Sequence, residues 1–535
     1  MRRTSLIRLG LTLPLAGGGL VVCSAPPPPP SEAGPAGDQY IITLDAETRS
    51  TPATGRVMLF FITERTGRWP WREPSEGPFW EPPQPIASVA VDNWQPGETI
   101  TIDREAVSFP SSLDELRGPV RVQAVLDVDD TERSHRVGPG NLASAAVTAD
   151  LDERRPDVVR LTLDRRVRPM RLPPETDHLK WIELRSPMLS AHYGRDVYHR
   201  AGVALPPEYV TDPSPERRWP TVYKIPGYGG RHDLAATYAQ MLTTHGIEEI
   251  APMAVYVVLD PEAPLGHHGF VDSACNGPRG TALVEELIPH LEERFRLVAR
   301  TDGRMLMGHS SGGWTSLWLQ LRWPEVFDGC WASAPDPVDF SAFQMSDLYA
   351  DENLYTDERG VERPSYRRIV SLDGDTEPVM TVRQECRMEH AMDPRGGSGQ
   401  QWDAWEAMFS PRDPVTGFPR PLFDATTGAI DRAVVERWRQ YDMTRLVDEQ
   451  WSRYAAIVTE RIRLSCGELD SFYLQRAVAR FKEVVERHAA ASGGWLGPGY
   501  VNLVPDATHA TLTTDIFQRV NREMRAALRE RGLHP

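Results

Sequence analysis

The pentapeptide GHSSG at 308–312 matches the pattern Gly-x-Ser-x-Gly, in which a serine sits between two small residues. Such a serine can attack a carbonyl carbon when its hydroxyl projects from a tight turn between a strand and a helix. The apolar run Arg304–Met307 predicts a strand before the motif, and Trp314–Trp323 predicts a helix after it. The pentapeptide alone arises often by chance, but its setting predicts Ser310 as a nucleophile.

A serine hydroxyl is a weak nucleophile at neutral pH, so it needs a general base that a carboxylate orients. With a nucleophile on such a turn, the acid and then the base follow it along the chain. His509 comes after the predicted strand Tyr500–Val504 and before the last predicted helix, and it is the candidate base. Asp470 is the candidate acid, because it follows the predicted strand Ile462–Cys466 and a glycine that lets the chain turn.

Other carboxylates compete for the role of the acid. Glu468 lies in the same turn as Asp470 and is expected to be exposed. Asp336 and Asp339 follow the preceding predicted strand, Gly329–Ser333, from which a triad acid can also come. Turn capping around the neighbouring prolines is the alternative role for this pair. The spacing favours Asp470 and leaves Asp336 and Asp339 as the rival site.

Attack on a carbonyl also needs two N–H donors aimed at the oxygen that becomes negative. The backbone N–H of Ser311, next to the nucleophile, is the first candidate. The loop PGYGG at 226–230 follows the predicted strand Thr221–Ile225, and its glycines let the backbone approach a substrate closely. The backbone N–H of Tyr228 in this loop is the second candidate. An ordinary glycine turn is the competing interpretation.

From residue 172 to 535, predicted strands and helices alternate, which favours a mostly parallel, doubly wound α/β sheet. Residues 340 to about 445 break this alternation, because they are rich in Asp, Arg, Pro and Gly and have few continuous apolar runs. We interpret them as an insertion over the carboxyl edge of the sheet, where such folds place their active sites. Candidate substrate contacts, for which packing against the sheet is the alternative, are Trp402, Trp405, Phe409, His267 and His268.

Residues 39–168 differ from the rest because their apolar residues mostly alternate with polar ones. About six or seven short predicted strands, separated by Pro, Gly, Asp and Asn, indicate an immunoglobulin-like β-sandwich domain. Such a domain either binds carbohydrate or caps and positions the catalytic domain, and we favour the second role.

The first 25 residues predict an export signal. Arginines precede the apolar stretch Leu9–Val22, which is too short and too rich in glycine for a membrane-spanning helix. Cys23 follows a sequence that loosely matches a lipoprotein signal, so both plain cleavage and lipid attachment at Cys23 stay open. Residues 26–38 form a Pro/Gly-rich linker that cannot pack a core. We therefore expect an exported protein, periplasmic or at the cell surface, that reaches a membrane only through a lipid anchor.

The bulk composition excludes some partners. The chain of 535 residues carries 59 Lys and Arg against 75 Asp and Glu, a net charge of −16, which argues against nucleic acid and against anionic membrane surfaces. The cysteines after Cys23 are compatible either with disulfides or with buried free thiols. The sequence contains no Cys-x-x-Cys and no His-Glu-x-x-His, so no metal site is predicted. The expected partner is a small molecule.

Several motifs together resemble the putative esterases of the α/β-hydrolase superfamily, which include S-formylglutathione hydrolase (esterase D), enterochelin-esterase-like proteins and feruloyl or acetyl-xylan esterase domains. The resemblance covers residues of about 200–335 and 460–512. The motifs that carry it are VYKIPGYGG at 222–230, NGP at 276–278, ELIP at 286–289, GHSSGG at 308–313, PEVF at 324–327, CGELD at 466–470 and His509. The chain departs from the family at Pro226, where a His is usual, and at Ala507 and Thr508, where glycines are common.

The resemblance implies an α/β-hydrolase fold after the N-terminal β-sandwich, with Ser310, Asp470 and His509 as a triad and Tyr228 and Ser311 as oxyanion donors. It implies hydrolysis of a carboxylic ester through an acyl-enzyme, without a metal or an organic cofactor. Acyl transfer or amide hydrolysis by the same triad is one alternative, and a non-catalytic surface-binding protein is another. Acylated sugars, phenolic esters and siderophore-type esters stay open as substrates, because the insertion lies outside the family core.

Overall fold

The computed structural model describes residues 37–533, apart from 67–71, 78, 81, 153–156, 213, 245–250, 372–373 and 510–513. The predicted export signal, Cys23 and nearly all of the predicted linker lie outside the described residues. Within the part of the chain that is described, no helix is both long enough and apolar enough to cross a membrane.

Residues 39–166 form two β-sheets. The smaller has three strands in the order Thr99–Ile102, Gln39–Leu44 and Val158–Leu163. The larger follows the order Arg165–Arg166, Leu142–Ala143, Gly118–Asp127, Ala53–Thr63, Ile86–Trp94 and Val107–Phe109, with Val147–Leu151 also paired to Gly118–Asp127. Short 3₁₀ turns lie at Glu64–Thr66, Pro74–Glu76 and Leu113–Glu115.

The long strand Ala53–Thr63 is apolar at successive positions because both of its faces are covered. Leu59 points into a core that the two sheets share, where Tyr40 of the smaller sheet also lies. Phe60, the next residue, packs on the opposite face in a cluster with methionines of the helix Val382–Met392. The two-sheet region is therefore joined to the later part of the chain by an apolar interface.

A third sheet has eight strands in the order Leu179–Arg185, Tyr198–Ala204, Val255–Leu259, Thr221–Ile225, Arg304–His309, Cys330–Ser333, Ile462–Gly467 and Tyr500–Val504. The second strand in this order is antiparallel to both of its neighbours, and the pairings from the third strand to the eighth are parallel. This order and these directions are those of the α/β-hydrolase fold, which confirms the predicted fold of this part of the chain.

Helices cover both faces of the eight-stranded sheet. On one face, Ala235–Leu242 and Thr514–Glu530 bury their apolar sides against the strands. The other face is covered by Arg279–Ala282, the π-helical turn Leu283–Leu287, Ile288–Arg294, Ser311–Arg322 and Gln475–Ala491. Smaller elements are the helices Pro187–Tyr193 and Pro207–Thr211, the 3₁₀ turns His232–Leu234 and Thr301–Gly303, and the paired strands Glu262–Ala263 with Gly266–His267 and Asp272–Ser273 with Gly277–Pro278.

Between Cys330–Ser333 and Ile462–Gly467 the chain leaves the sheet, and residues 334–461 form what we call the inserted segment. Its elements are the 3₁₀ turn Phe340–Ala342, the hairpin Pro364–Ile369 with Thr376–Thr381, the helices Val382–Met392, Gln401–Phe409, Arg432–Trp438, Met443–Glu449 and Trp451–Ala456, the 3₁₀ turn Arg439–Tyr441 and the π-helical turn Ile457–Arg461. Asp431 and Asp442 each accept backbone N–H groups at a helix start, so part of the Asp-rich composition serves helix capping.

None of the four cysteines that the structure describes forms a disulfide. Cys275, Cys330, Cys386 and Cys466 are all buried free thiols. Burial raises the pKa of Cys275 to about 11, so this thiol stays protonated at neutral pH. The sequence was compatible with disulfides or with free thiols, and these four cysteines are free thiols in the structure.

Candidate active site

Ser310 lies at the sharp turn between the strand Arg304–His309 and the helix Ser311–Arg322. Its backbone has φ 58° and ψ −131°, a left-handed conformation that is strained for a residue with a side chain. Its N–H donates to the carbonyl of Ser333 at 3.0 Å, which ties the turn to the neighbouring strand. The hydroxyl therefore sits at the carboxyl edge of the sheet, in the turn that the pentapeptide predicts.

Gly308 and Gly312 are required by this turn. A Cβ on Gly308 would lie 1.9 Å from the carbonyl oxygen of Gly312, and a Cβ on Gly312 would lie 2.2 Å from the carbonyl oxygen of Ile225. Either side chain would force the strand and the helix apart, because packed interiors leave no such room. The spacing of the two glycines follows from how tightly the chain reverses around Ser310.

His509 and Asp470 lie in contact. Nδ1 of His509 is 2.8 Å from Oδ2 of Asp470, and the side chain of Asp470 is 0% exposed. The other carboxylate oxygen, Oδ1, accepts the N–H groups of Phe472 at 2.9 Å and of Leu474 at 3.3 Å. Because the buried acid has these partners, it is held in one orientation opposite the imidazole.

Two adjacent loops bring the acid and the histidine together. Gly467 ends the strand before Asp470, and a Cβ at Gly467 would lie 2.2 Å from the carbonyl oxygen of Ala507. The N–H of Leu469 donates to the same carbonyl at 3.0 Å. The loop that bears Asp470 and the loop that bears His509 therefore run side by side.

Ser310 and His509 line one cavity of about 430 Å³. The ring of His509 packs between Phe472, with 5.0 Å between ring centroids, and His309, with 4.6 Å. His309 lines the cavity too, but burial lowers its pKa to about 3, and the charges of His509 and Lys224 add to the effect. His309 is therefore too weak a base at neutral pH, which leaves His509 as the candidate base.

The rival acids, Asp336 and Asp339, have other partners. Oδ2 of Asp336 accepts the indole N–H of Trp405 at 2.9 Å and the amide of Gln401 at 3.4 Å, and burial raises the pKa of this carboxyl. Oδ1 of Asp339 accepts the N–H of Ser341 at 2.9 Å and its hydroxyl at 2.6 Å, so this residue caps a turn. The position opposite the imidazole is filled by the acid that the sequence favours.

The glycine loop at 226–230 lies directly over the nucleophile. A Cβ on Gly227 would be 3.1 Å from Cβ of Ser310 and 3.7 Å from its Oγ. A glycine at this position therefore keeps open the space that a substrate carbonyl would fill.

Tyr228 and Ser311, the two predicted oxyanion donors, directly follow Gly227 and Ser310 along the chain. The turn of the glycine loop is closed by a hydrogen bond from the N–H of Gly230 to the carbonyl of Gly227, at 2.9 Å. Tyr228 lies inside this turn, and its own N–H takes no part in the bond that closes it. Ser311 is the first residue of its helix, and its N–H is one of those that have no acceptor within the helix. The roles of these two N–H groups as oxyanion donors therefore stay predictions.

Most of the predicted substrate contacts pack the interior. Trp402, Trp405 and Phe409 are all buried in the main core, and Trp405 also lines the cavity. The two candidate histidines are buried as well, and Nε2 of His267 lies 3.1 Å from the carbonyl of Pro226. His267 therefore buttresses the glycine loop, and Trp405 alone of this set faces the substrate space.

The cavity also has walls that the sequence does not single out. Its large apolar side chains are Trp80, Tyr366, Met380, Met388, Trp405 and Phe472. Trp80 comes from the two-sheet region, and Glu385 comes from the inserted helix Val382–Met392. Burial raises the pKa of Glu385 to about 7. Among the residues that the structure describes, no cluster of three or more His, Cys, Asp or Glu could hold a metal ion.

This fold, with a strained serine at the edge of its sheet, is that of an α/β-hydrolase-type serine hydrolase. The model of the putative esterase family matches residues 198–494, which is more than half of the chain. The chain therefore belongs to the putative esterase family and is a serine carboxylic ester hydrolase.

Solved structures similar to the chain include the ferulic acid esterase from Anaeromyces mucronatus in complex with ferulic acid, at 16% identity over 65% of this chain and 91% of that one, with a TM-score of 0.33. A fluorophosphonate-binding serine hydrolase from Staphylococcus aureus is 13% identical over 65% and 98%, with a TM-score of 0.36. The S-formylglutathione hydrolase from Agrobacterium tumefaciens is 16% identical over 68% and 97%, with a TM-score of 0.34. No curated protein matches the chain.

Proposed function

We propose that Ser310, His509 and Asp470 are a catalytic triad that hydrolyses a carboxylic ester through an acyl-enzyme. The observation that carries this proposal is the buried contact of 2.8 Å between Nδ1 of His509 and Oδ2 of Asp470, with His509 lining the same cavity as the strained Ser310. An ionised Asp470 accepts the Nδ1 proton, so the lone pair of the imidazole is on Nε2, where a base must carry it.

In this mechanism His509 takes the hydroxyl proton as Oγ of Ser310 bonds to the ester carbon. The carbonyl oxygen becomes an anion that accepts the N–H groups of Ser311 and Tyr228. The intermediate collapses when the carbon–oxygen bond to the alcohol breaks, and His509 gives its proton to that alcohol. A water molecule then attacks the acyl-enzyme by the same steps and releases the acid. The chemistry needs no metal and no organic cofactor.

The cavity supports a small-molecule ester that carries a bulky apolar or aromatic group. Its volume of about 430 Å³ and its wall of tryptophan, methionine and phenylalanine side chains suit such a group. Glu385 supplies a polar atom on the same wall and could accept a hydroxyl hydrogen from the substrate. Phenolic esters and siderophore-type esters can combine an aromatic group with hydroxyls, acylated sugars carry hydroxyls, and a panel of all three classes would rank them.

We further propose that the two-sheet region is a β-sandwich domain that caps the catalytic domain. Its two sheets share one core, and its other face packs on the inserted helix next to the cavity. The proposed export, by plain cleavage or with a lipid on Cys23, is supported by the sequence of residues 1–25. The mass of the mature N-terminus purified from cells would distinguish retention, cleavage and lipidation.

The experiment that tests the proposed function is the pre-steady-state hydrolysis of p-nitrophenyl esters with substrate in excess. We expect a rapid release of p-nitrophenol that equals one per active site, and an acyl adduct on intact protein that is lost in Ser310→Ala. His509→Gln should lower kcat by a factor on the order of 10⁶. His488→Gln is the matched control, because His488 also contacts an aspartate, Asp448 at 2.6 Å, and lies outside the cavity lining.

Equal activity in Ser310→Ala, or an equal loss in both histidine variants, would overturn the triad. Transfer of the acyl group from the enzyme to added alcohols in preference to water would instead identify an acyltransferase.

A further inference from the structure

Arg133 belongs to the two-sheet region, in the loop between the strands Gly118–Asp127 and Leu142–Ala143. Its guanidinium extends out of the two-sheet region and contacts the glycine loop of the candidate active site. Nη1 donates to the phenolic oxygen of Tyr228 at 3.0 Å, and the guanidinium carbon lies 4.8 Å from the centroid of the same ring. One arginine therefore holds both the polar end and the ring of Tyr228.

The phenolic hydroxyl has further partners in the inserted segment. It donates to Oε1 of Gln400, at 2.9 Å, with the carbonyl of Gly399 at 3.3 Å. Burial raises the pKa of Tyr228, so the group keeps the proton that it donates. Tyr228 is thus fixed at its side chain by two other parts of the chain, while Gly227, the residue before it, lies close to Ser310.

Arg133 itself is fixed. Its Nε contacts Oε2 of Glu262, whose side chain is 4% exposed, in a buried ion pair. A Cβ on Gly399 would lie 2.4 Å from Cγ of Arg133, so the inserted segment packs directly on the arginine stem. An ion-paired and closely packed arginine offers a rigid support rather than a mobile surface charge.

The residue before Arg133 adds a second attachment. Oε2 of Glu132 accepts from Nη1 of Arg231 at 2.7 Å, and Oε1 accepts from Arg200 at 2.6 Å. Arg231 directly follows the glycine loop, which ends at Gly230. Two consecutive residues of the two-sheet region therefore hold the glycine loop, one near its middle and one at its end.

We propose that Arg133 is a positioning residue for catalysis, which fixes the backbone N–H of Tyr228 where it donates to the oxyanion. The proposal rests on the proposed function, because it concerns the second oxyanion donor of that mechanism. It makes the two-sheet region a part of the active site rather than a separate module. Loss of an oxyanion donor lowers kcat by about 10²–10³, and a displaced donor should lower it by a factor of about 10–100.

The test compares variants in steady-state kinetics with a p-nitrophenyl ester that the wild type hydrolyses. Arg133→Met combined with Glu262→Gln removes the guanidinium without leaving a buried carboxylate unpaired. We expect kcat to fall about 10–100-fold while KM changes less than about threefold, because a donor to the oxyanion acts in the transition state. Arg133→Lys should recover only part of kcat, because an ammonium cannot contact both the ring and Glu262 in the same way.

Tyr228→Phe keeps the ring and removes the hydroxyl. It should lower kcat in the same direction, and adding it to the Arg133 variant should lower kcat by less than the product of the two separate effects, because both changes remove the hydrogen bond between Arg133 and Tyr228. This variant carries the test if the Arg133 variants fail to fold, which thermal unfolding and circular dichroism would reveal. Arg56→Met is the matched control, since Arg56 also joins the two-sheet region to the inserted segment, through Asp393 at 3.4 Å, but does not contact the glycine loop.

Unchanged kcat in folded Arg133 and Tyr228 variants would overturn the proposal. So would a loss confined to KM, multiplicative effects of the two changes, or an equal loss in Arg56→Met. A wild type that hydrolyses no ester and binds no fluorophosphonate would overturn the proposed function as well, whereas an active wild type with unaffected variants would overturn only the role of Arg133.

Discussion

Asp470→Asn exchanges one side-chain oxygen of the candidate site for an NH₂ group and should remove most of the activity. Oδ1 of the carboxylate accepts two backbone N–H groups, and Oδ2 accepts from Nδ1 of His509 at 2.8 Å. An asparagine can keep the first two hydrogen bonds through its carbonyl oxygen. Its NH₂ group then faces Nδ1 as a donor. The imidazole accepts this hydrogen bond only in the tautomer that has its lone pair on Nδ1 and its proton on Nε2. The base is then in the wrong tautomer to accept the proton of Ser310.

The expected loss in kcat is on the order of 10⁴, or about 5 kcal/mol in the activation free energy. The melting temperature should change by only a few degrees, because the backbone hydrogen bonds of the loop are kept. Stopped-flow release of p-nitrophenol measures the acylation step directly, and a thermal melt of the same sample measures stability. A loss of activity without a loss of stability separates the catalytic effect from unfolding.

Asp336→Asn is the matched control, because Asp336 is also a buried aspartate that lines the cavity. Its carboxylate accepts from Trp405 rather than from the imidazole, so its variant should lose no more than about tenfold in kcat. If Asp470→Asn keeps activity within about tenfold of the wild type while Asp336→Asn loses more, the assignment of the acid is wrong.

Three further variants test other parts of the account. Gly227→Ala should lower kcat for p-nitrophenyl acetate about 10–100-fold. The new Cβ would lie 3.1 Å from Cβ of Ser310, so the glycine loop must move. Full activity would contradict the position of the loop. Burial raises the pKa of Glu385 from 4.5 to about 7, so wild-type stability is favoured at low pH and falls as the pH rises through this window. Glu385→Gln should therefore gain about 2–3 kcal/mol relative to the wild type between pH 5 and pH 8 in urea unfolding, whereas exposed Glu358→Gln should show no such trend. Trp80→Ala should lower kcat/KM about tenfold for bulky aryl esters and change it little for acetyl esters; equal effects on both would remove Trp80 from the substrate space.

The central strands of the hydrolase sheet could be predicted because they are buried on both faces. Val255–Leu259 is apolar at each of its positions, and such runs stand out in the sequence. The first two strands of the sheet, Leu179–Arg185 at its edge and Tyr198–Ala204 beside it, could not, because they mix buried and exposed positions and Tyr198 is 40% exposed. Their identity depends on pairing with each other, which periodicity does not report.

The inserted segment shows a second limit of predicting structure from the sequence. Its helices are short, and their starts are marked by the same Asp and Thr residues that also mark turns, as at Thr381 and Asp431. Composition therefore indicated an insertion at 340–445 but not its capped helices, and in the structure the chain leaves the sheet over residues 334–461.

Some residues of the candidate site could be predicted from the sequence, and others could not. Ser310, Asp470 and His509 each follow a predicted strand, so their proximity could be inferred from the rule that parallel strands end at one edge of the sheet. Trp80 and Arg133 reach the site from a different region of the chain, and no local pattern marks them. Such contacts between distant segments exist only once the two-sheet region packs on the inserted segment.

The most direct test of the account is covalent labelling with a fluorophosphonate, followed by peptide mass spectrometry. We predict one label per chain, on the peptide that contains Ser310, and no label in Ser310→Ala. Ser333→Ala is the control, because Ser333 lies on the adjacent strand and its Oγ contacts His309 at 3.1 Å, and this variant should label like the wild type. An unlabelled wild type, a label on another residue, or equal labelling of Ser310→Ala would contradict the claim that Ser310 is the nucleophile.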